Sequence, residues 1–379
     1  MEKQLIIIVV LIIVPLVRRR VSKRLGVLDK PGHDVPKRSR VPTLQWIWFL
    51  LAVVIATAIF HPSYFIADYM LAFWLGLWWL VAINFIDELG RLIHPRYRLH
   101  PIIKFVAQIL VAVLAYLLSG VGINGIEIAG QRVSFSMLNT LILTVARFGL
   151  CINAINRFDG VYGLASGTSS LGFFTIASLL TRVVLPLYPE MMGLKLEMVN
   201  SAIRFSRLFA WVTLFAAVME FRPLWLAREV GTMSFGFALA YLSLLGGAKL
   251  GTVIVVLLLP LLDAVWVIID RLHIRKQNPF KGDFTHLHYR LMALGRSRTE
   301  VRVVLRSLSA FLAIIILLQW GDRVGKLIIF VLIALIFFVI NGYLYRIKKL
   351  PKAYIPGIKS DDDLEKNYME EKEDKIVKK

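Results

Sequence analysis

The sequence predicts an all-α, polytopic membrane protein, built as a bundle of about 10–11 transmembrane helices. Hydrophobic residues make up 58% of the 379 residues, and the mean hydropathy is +0.68. Apolar runs recur from one end of the chain to the other, and the polar residues are concentrated in short segments between them. This composition excludes an ordinary soluble domain.

The hydrophobic segments are predicted to be helices, although several are shorter than the usual span of about 20 residues. In chain order they are 4–17, 46–60, 68–86, 103–119, 136–154, 164–181, 208–219, 231–246, 250–268, 305–320 and 326–345. The first is predicted to be retained, because Arg18, Arg19 and Arg20 follow it, whereas a signal peptide carries its charge before the apolar core. The membrane domain thus occupies 1–350, and the mixed-charge run 351–379 is predicted to be a disordered cytoplasmic tail.

The distribution of positive charge predicts the orientation. Most of the 45 Lys and Arg residues fall in alternate connecting segments if the N-terminus lies outside. The positive-inside rule assigns those segments to the cytoplasm, so the net charge of +20 indicates contact with an anionic leaflet and not with nucleic acid. Cys151 is the single cysteine, which excludes an intramolecular disulfide. On the outer side, alternating residues from Ile123 to Phe135 predict a small hairpin.

Asp87 and Glu88 form an acidic pair that closes the third predicted span. Adjacent carboxylates repel each other unless a cation or a basic partner lies between them. Mg²⁺ suits such a pair, because it takes oxygen ligands and shares its shell with substrate phosphates. The alternative is a helix-end pair that is solvated among the lipid headgroups.

The segment NAINRFDGVYGLASG, residues 153–167, places amides, an aspartate and glycines between two spans. Asn153 and Asn156 lie three residues apart and share a helical face, and Asp159-Gly160 is predicted to end the helix. Such groups could present amides and a carboxylate to a nucleotide or a metal. A plain helix-terminating loop would use the same residue types.

His286 and His288 alternate with Leu287 and are followed by Tyr289 and Arg290. Two imidazoles at this spacing converge only on an extended or looped backbone. With the basic residues nearby they suit a diphosphate better than Zn²⁺, which would need further ligands. The alternative is a basic loop that touches lipid phosphate.

All of these clusters are predicted to lie on the cytoplasmic face. Carboxylates, amides, histidines and basic residues on one face of a membrane protein indicate a phosphoryl-transfer site beside a lipid, where the protein positions groups and neutralises charge.

The motifs resemble those of the polyprenyl-phosphate N-acetylhexosamine-1-phosphate transferases, and they occur in that family's order over about residues 25–295. The resemblance is carried by LGVLDKPG, FIDELGRL, NAINRFDGVYGLASG, LAREVGTMSFGF and PFKGDFTHLHYRLMALG. The chain departs from the family pattern at several positions. It has Glu88, Tyr162 and Glu229 where the family has aspartate, Arg228 where it has glycine, and Tyr289 where it has a third histidine.

The resemblance implies a role for each matching residue. Catalytic roles fall on Asp87, Glu88, Asp159, His286 and His288; substrate-binding roles fall on Lys104, Asn153, Asn156 and Arg290; metal-binding roles fall on Asp87, Asp159 and Glu229. The implied cofactor is Mg²⁺, with Mn²⁺ as an alternative, and the implied partners are polyprenyl phosphate and a UDP-sugar. A homodimer is compatible with this interpretation.

Two functions remain open. The first is transfer of a sugar-1-phosphate, N-acetylhexosamine-1-phosphate by resemblance, from a UDP-sugar to polyprenyl phosphate in the plasma membrane, which would initiate cell-envelope glycan assembly. The second is a catalytically degenerate paralogue that binds lipid phosphate or scaffolds a glycan-assembly complex. A transporter is disfavoured, because it would require a charged site near the midplane or paired broken helices.

Overall fold

A computed structural model describes residues 28–29, 41–42, 45–60, 62–93, 97–128, 131–187, 189–221, 226–247, 257–274, 276, 286–318 and 323–346. Four short strands form two antiparallel pairs, and the remaining elements are helical. β1 (Leu28–Asp29) pairs with β2 (Val41–Pro42), and β3 (Gly125–Ile128) pairs with β4 (Gln131–Ser134) in the register Gly125↔Ser134 to Ile128↔Gln131. The second pair confirms the hairpin predicted between the fourth and fifth spans.

The described residues form eleven main helices. In chain order they are α1 (Gln45–Phe60), α2 (Asp68–Ile93), α3 (Pro101–Ser119), α4 (Met137–Arg157), α5 (Leu164–Leu179), α6 (Gly193–Met219), α7 (Arg228–Leu245), α8 (Leu258–Ile269), α9 (Leu287–Ala293), α10 (Arg298–Leu318) and α11 (Arg323–Arg346). A 3₁₀ turn at Phe158–Gly160 follows α4, and π-helical turns at Leu180–Val184 and Asp270–Ile274 extend α5 and α8.

These helices confirm the all-α membrane fold. Ten of the predicted spans coincide with a described helix, while the predicted span 4–17, residues 250–256 and the tail 351–379 lie outside the described residues. Within the described part of the chain, six helices are long and apolar enough to cross a membrane. They are Asp68–Gly90, Pro101–Ser119, Met137–Gly160, Leu164–Leu187, Gly193–Met219 and Arg298–Leu318.

The predicted boundaries were wrong where charged residues within a helix bind partners on other parts of the chain. The predicted span 208–219 is the last part of the 27-residue helix α6. Arg204 donates to the Tyr64 hydroxyl at 2.8 Å and Arg207 donates to Thr181 Oγ1 at 3.0 Å, so neither charge ends the helix. Likewise α2 runs on to Ile93, which places the acidic pair inside the helix and not at its end.

The centre of the bundle is α7. It contacts α1, α2, α4, α5 and α6, and from Val230 to Leu245 every side chain except Leu244 is buried. A helix that is surrounded on all sides must be apolar or small on all sides, as α7 is. Its aromatic residues Phe237 and Tyr241 pack against Phe73 of α2 and Phe148 of α4.

Gly236 sets the closest approach between α7 and α4. A Cβ atom at this position would lie 2.5 Å from Ile152 Cα and 2.6 Å from the Cys151 carbonyl oxygen. Small residues at such crossings let two membrane helices pack backbone against backbone.

We therefore expect Gly236→Ala to destabilise the protein by about 1–3 kcal/mol, since the added methyl group would force the two backbones apart. Gly149→Ala on α4 is the matched control, because a Cβ there meets no atom within 4 Å. It should be neutral or stabilising by up to about 1 kcal/mol, the difference in helix propensity. Thermal unfolding of the purified protein in detergent measures both changes, and equal effects of the two variants would contradict the proposed close approach.

Candidate active site

Lys104 joins three helices at one end of the bundle. Its ammonium group lies 3.1 Å from Asp87 Oδ2 of α2 and 2.5 Å from Glu229 Oε2 of α7, and its side chain is only 13% exposed. Arg98 adds a second cation, 3.2 Å from Glu229 Oε1 and 3.8 Å from Asp87 Oδ2. Two of the three acidic residues that the sequence assigned to a metal, Asp87 and Glu229, are thus paired with basic side chains.

The positions of these residues follow from where their helices begin. His100 caps α3 by accepting a hydrogen bond from the backbone of Ile102, and Pro101 opens the helix, so Lys104 stands in its first turn. Asp87 also accepts a hydrogen bond from the Leu99 amide at 2.7 Å, which fixes the connection between α2 and α3. Glu229 stands in the first turn of α7.

Asp159 brings the loop after α4 to the same cluster. The helix ends at Arg157 as predicted, and the 3₁₀ turn that follows presents a partly buried Asp159. This carboxylate interacts electrostatically with Glu88, Glu229 and Arg228. The acidic residues predicted from separate motifs therefore converge in space.

The two asparagines of this segment form contacts between helices. Asn153 donates to Gln108 Oε1 of α3 at 2.7 Å and to the Gly149 carbonyl oxygen at 2.8 Å. Asn156 Oδ1 accepts a hydrogen bond from Thr232 of α7 at 2.7 Å. Both side chains are partly buried, and they connect the last turns of α4, just before the Asp159 turn, to α3 and α7.

The carboxylates of this cluster are ligands of the type that Mg²⁺ prefers, although basic side chains already pair with two of them. Mg²⁺ prefers carboxylate oxygens and is commonly bound by one or two carboxylates together with substrate phosphates. In the part of the chain that the structure describes, no three Asp, Glu, His or Cys side chains are grouped so that they could hold a metal ion. Lys104 lies between two of the three predicted ligands. The residues therefore fit an ion that also takes oxygens from a bound diphosphate, and not a preformed protein-only metal site.

Asp263 on α8 organises the histidine segment. Its carboxylate contacts His286 Nδ1 at 2.8 Å, accepts from the Leu287 amide at 2.7 Å and accepts from Arg290 Nη2 at 2.9 Å. Arg290 also donates to Asn341 of α11 and lies over the Trp266 ring. One buried carboxylate thus orients the start of α9, a predicted catalytic histidine and a predicted substrate-binding arginine.

His288 packs the histidine segment onto the Asp159 turn. Its ring is fully buried, stacks on His286 with centroids 5.8 Å apart, and lies so close to Gly160 that a side chain there would overlap it. Burial lowers the pKa of His288 to about 3, so the imidazole is neutral. Neither ring nitrogen has a hydrogen-bond partner among the described residues.

Two acidic residues of this region were missed by the sequence analysis. Asp263 and Glu220 each stand alone within or beside an apolar helix, so no local pattern marks them. Glu220 is buried, accepts from Ser166 Oγ and from the Ala227 amide, both at 2.6 Å, and acts electrostatically on Asp159. Burial raises the pKa of Glu220 to about 7.

Arg228 adopts a left-handed backbone conformation with φ 51°. This conformation is easily adopted by glycine and costs other residues about 1–2 kcal/mol. The chain thus keeps the backbone geometry that a glycine would favour at this position while carrying an arginine there.

The fold and this cluster of charges at the helix ends define a multi-pass membrane protein with a polar site at one end of its bundle. Residues 70–247 match the sequence model of glycosyl transferase family 4. Over 307 residues, 79% of this chain and 78% of the relative, the sequence is 27% identical to a probable undecaprenyl-phosphate N-acetylglucosaminyl 1-phosphate transferase of Bacillus subtilis (strain 168).

Two further relatives extend the comparison. An undecaprenyl-phosphate alpha-N-acetylglucosaminyl 1-phosphate transferase of Yersinia pestis is 24% identical over 88% of this chain and 87% of its own length. A phospho-N-acetylmuramoyl-pentapeptide-transferase of Rippkaea orientalis (strain PCC 8801 / RF-1) is 28% identical over 45% of this chain and 47% of its own. The chain is thus similar to glycosyl transferase family 4 over residues 70–247, and over most of its length to undecaprenyl-phosphate N-acetylglucosaminyl 1-phosphate transferases.

The role of Asp263 can be tested by removing its charge. Asp263→Asn should lower the free energy of unfolding by about 3–5 kcal/mol, because it leaves the buried Arg290 without its carboxylate. Glu197→Gln, which neutralises an exposed carboxylate on α6, should cause no measurable change. Unfolding in detergent, followed by tryptophan fluorescence, compares the two variants, and equal stability would refute the organising role.

The strain at Arg228 can be measured with two truncations. Arg228→Gly and Arg228→Ala remove the same side-chain contacts, but only glycine relieves the left-handed conformation. We expect the glycine variant to be more stable than the alanine variant by about 1 kcal/mol, although alanine is ordinarily the better helix former. A more stable alanine variant in the same unfolding assay would show that this backbone is not left-handed.

Proposed function

We propose that this protein transfers a sugar-1-phosphate from a UDP-sugar to polyprenyl phosphate on the cytoplasmic face of the membrane. The observation that supports this most is the convergence of Asp87, Lys104 and Glu229 with the Asp159 turn, in a chain similar to these transferases. The names of the relatives make N-acetylhexosamine-1-phosphate the proposed group. A degenerate lipid-binding paralogue would keep the fold, but it would not require this pairing.

The reaction exchanges one phosphoanhydride bond for another. An oxygen of the lipid phosphate forms a bond to the β-phosphorus of the UDP-sugar, directly or after an enzyme carboxylate has done so. The bond from that phosphorus to the oxygen bridging it to the α-phosphate breaks, and UMP leaves with the electron pair. The work of the protein is positioning and charge neutralisation, since phosphoryl transfer needs little covalent chemistry from it.

Each predicted residue has a place in this scheme. Asp87, Glu88 and Asp159 supply the carboxylates of the site, and Lys104 neutralises phosphate charge. His286 at the start of α9 would face the diphosphate, and Arg290 would support that segment through its contact with Asp263. Neutral His288 positions the Asp159 turn by packing on Gly160. Asn153 and Asn156 shape the substrate-binding wall through their contacts with Gln108 and Thr232.

We propose Mg²⁺ as the cofactor, which Asp87, Asp159 and Glu229 would hold together with phosphate oxygens of the substrates. When bound, the ion would neutralise the negative charge of the diphosphate. Two carboxylates suffice, because Mg²⁺ usually completes its shell with water and substrate oxygens.

The function is tested by a transfer assay with purified protein, undecaprenyl phosphate and radiolabelled UDP-N-acetylglucosamine or UDP-N-acetylmuramoyl-pentapeptide. Asp159→Asn should reduce turnover by at least about 100-fold, as the loss of a positioned charge at a transition state does. Excess EDTA should abolish transfer, and Glu197→Gln should leave it unchanged. Absence of lipid product with either donor would contradict the transferase activity, and full activity in EDTA would contradict the metal.

The proposed orientation is tested by labelling single cysteines in a Cys151→Ser background. Gln131→Cys lies in the exposed hairpin, and Arg296→Cys lies at an exposed position between α9 and α10. An impermeant thiol reagent should label the first in intact cells and the second only after the membrane is opened, because the positive-inside rule assigns the second to the cytoplasm. Labelling in the opposite order would invert the assignment.

A further inference from the structure

A cavity of about 710 Å³ lies between α5, α6 and α10, and neither Asp159 nor Lys104 is among its lining residues. It runs along the first half of α5, the last turns of α6 and the middle turns of α10. Its walls are mostly apolar and include Leu171, Phe174, Leu214, Phe221 and Ala310. A hydrocarbon chain fits such walls, because the three helices are among those apolar enough to cross the membrane.

One end of this cavity is basic. Arg302 and Arg306 stand four residues apart on α10 and therefore on one face of it. Arg306 lines the cavity and donates to the Gly163 carbonyl oxygen, and Gly167 leaves room for its guanidinium group. Arg302 is buried with its guanidinium 4.2 Å over the ring of Phe221, another lining residue.

The guanidinium groups are only partly satisfied. Arg302 Nε and Nη1 and Arg306 Nε are buried and have no hydrogen-bond partner among the described residues. The acidic side chain that attracts both arginines is Glu220, whose carboxylate already accepts hydrogen bonds from Ser166 and Ala227. One carboxylate therefore faces two guanidinium groups.

Two arginines facing one carboxylate leave a surplus of positive charge within a membrane bundle. Buried cations in such segments are costly, and they mark a site for an anion when the protein does not supply enough negative charge. Phosphate oxygens suit the guanidinium group, because it can donate two parallel hydrogen bonds to them. An apolar slot that ends in arginines matches a molecule with a phosphate head and a hydrocarbon tail.

We propose that this cavity binds an anionic phospholipid, with one acyl chain along α5 and α6 and its phosphate on Arg302 and Arg306. The site is distinct from that of the polyprenyl phosphate substrate, which we place with Lys104 at the ends of α2, α3 and α7. Ser166 and Gly163 belong to the segment that carries Asp159, so the bound lipid would hold that segment against α6 and α10.

Native mass spectrometry of the purified protein tests the proposal without relying on activity. After delipidation, the protein is titrated separately with phosphatidylglycerol, phosphatidylcholine and undecaprenyl phosphate. One phosphatidylglycerol should bind at least about tenfold more tightly than phosphatidylcholine, the difference expected for one charge-assisted contact.

Three variants locate that lipid. Arg306→Gln should weaken phosphatidylglycerol binding by about tenfold or more, while Arg207→Gln, which removes an arginine from the middle of α6 that does not line the cavity, should not change it. Ala310→Phe should weaken binding of both phospholipids by filling the cavity while both arginines are kept. Ala310→Phe keeps the test decisive if Arg306→Gln does not fold.

Equal affinity for the two phospholipids would overturn the proposal, as would unchanged binding to Ala310→Phe. Tighter binding of undecaprenyl phosphate that Ala310→Phe weakens would assign the cavity to the lipid substrate and would also overturn it. None of these outcomes depends on transfer activity, so failure here is separable from failure of the proposed function.

Discussion

The packing of the helix ends at the candidate active site depends on the ammonium group of Lys104, which lies between the carboxylates of Asp87 and Glu229. A charge that is largely withdrawn from water must be paired, so this contact fixes the ends of α2, α3 and α7 relative to one another. Because α7 is the central helix of the bundle, positioning its first turn also positions the helices around it. The same three charges form the site to which we assign phosphate chemistry, so stability and function share one cluster.

The histidine segment is tied to this cluster through a second buried charge. Asp263 orients the start of α9 and the side chain of Arg290, and α9 in turn lays His288 on Gly160. The Asp159 turn therefore contacts the histidine segment at Gly160 and interacts electrostatically with Arg228 and Glu229 at the start of α7. Residues more than one hundred positions apart in the chain are thereby brought together, as Lys104 is with Glu229 and Gly160 is with His288.

The sequence predicted the parts of this protein that have local causes. Long apolar runs predicted the helices, and Asp159-Gly160 predicted the end of α4, because glycine disfavours helix continuation. The missed features depend on distant partners. Asp263 and Glu220 carry no local pattern, and α6 was predicted too short because the partner of Arg204 lies on a residue 140 positions away. The left-handed φ of Arg228 could not be predicted either, since arginine is not a residue that favours this conformation.

A double-mutant cycle on Lys104→Gln and Glu229→Gln tests the central contact most directly. The free energies of unfolding of the wild type, the two single variants and the double variant give the coupling between the side chains. A direct, largely buried pair predicts a coupling of about 1–3 kcal/mol, while the cycle of Lys104→Gln with Glu197→Gln should be additive within about 0.5 kcal/mol. Additive effects at Lys104 and Glu229 would contradict the account, because the three helix ends would then not be joined by this charge.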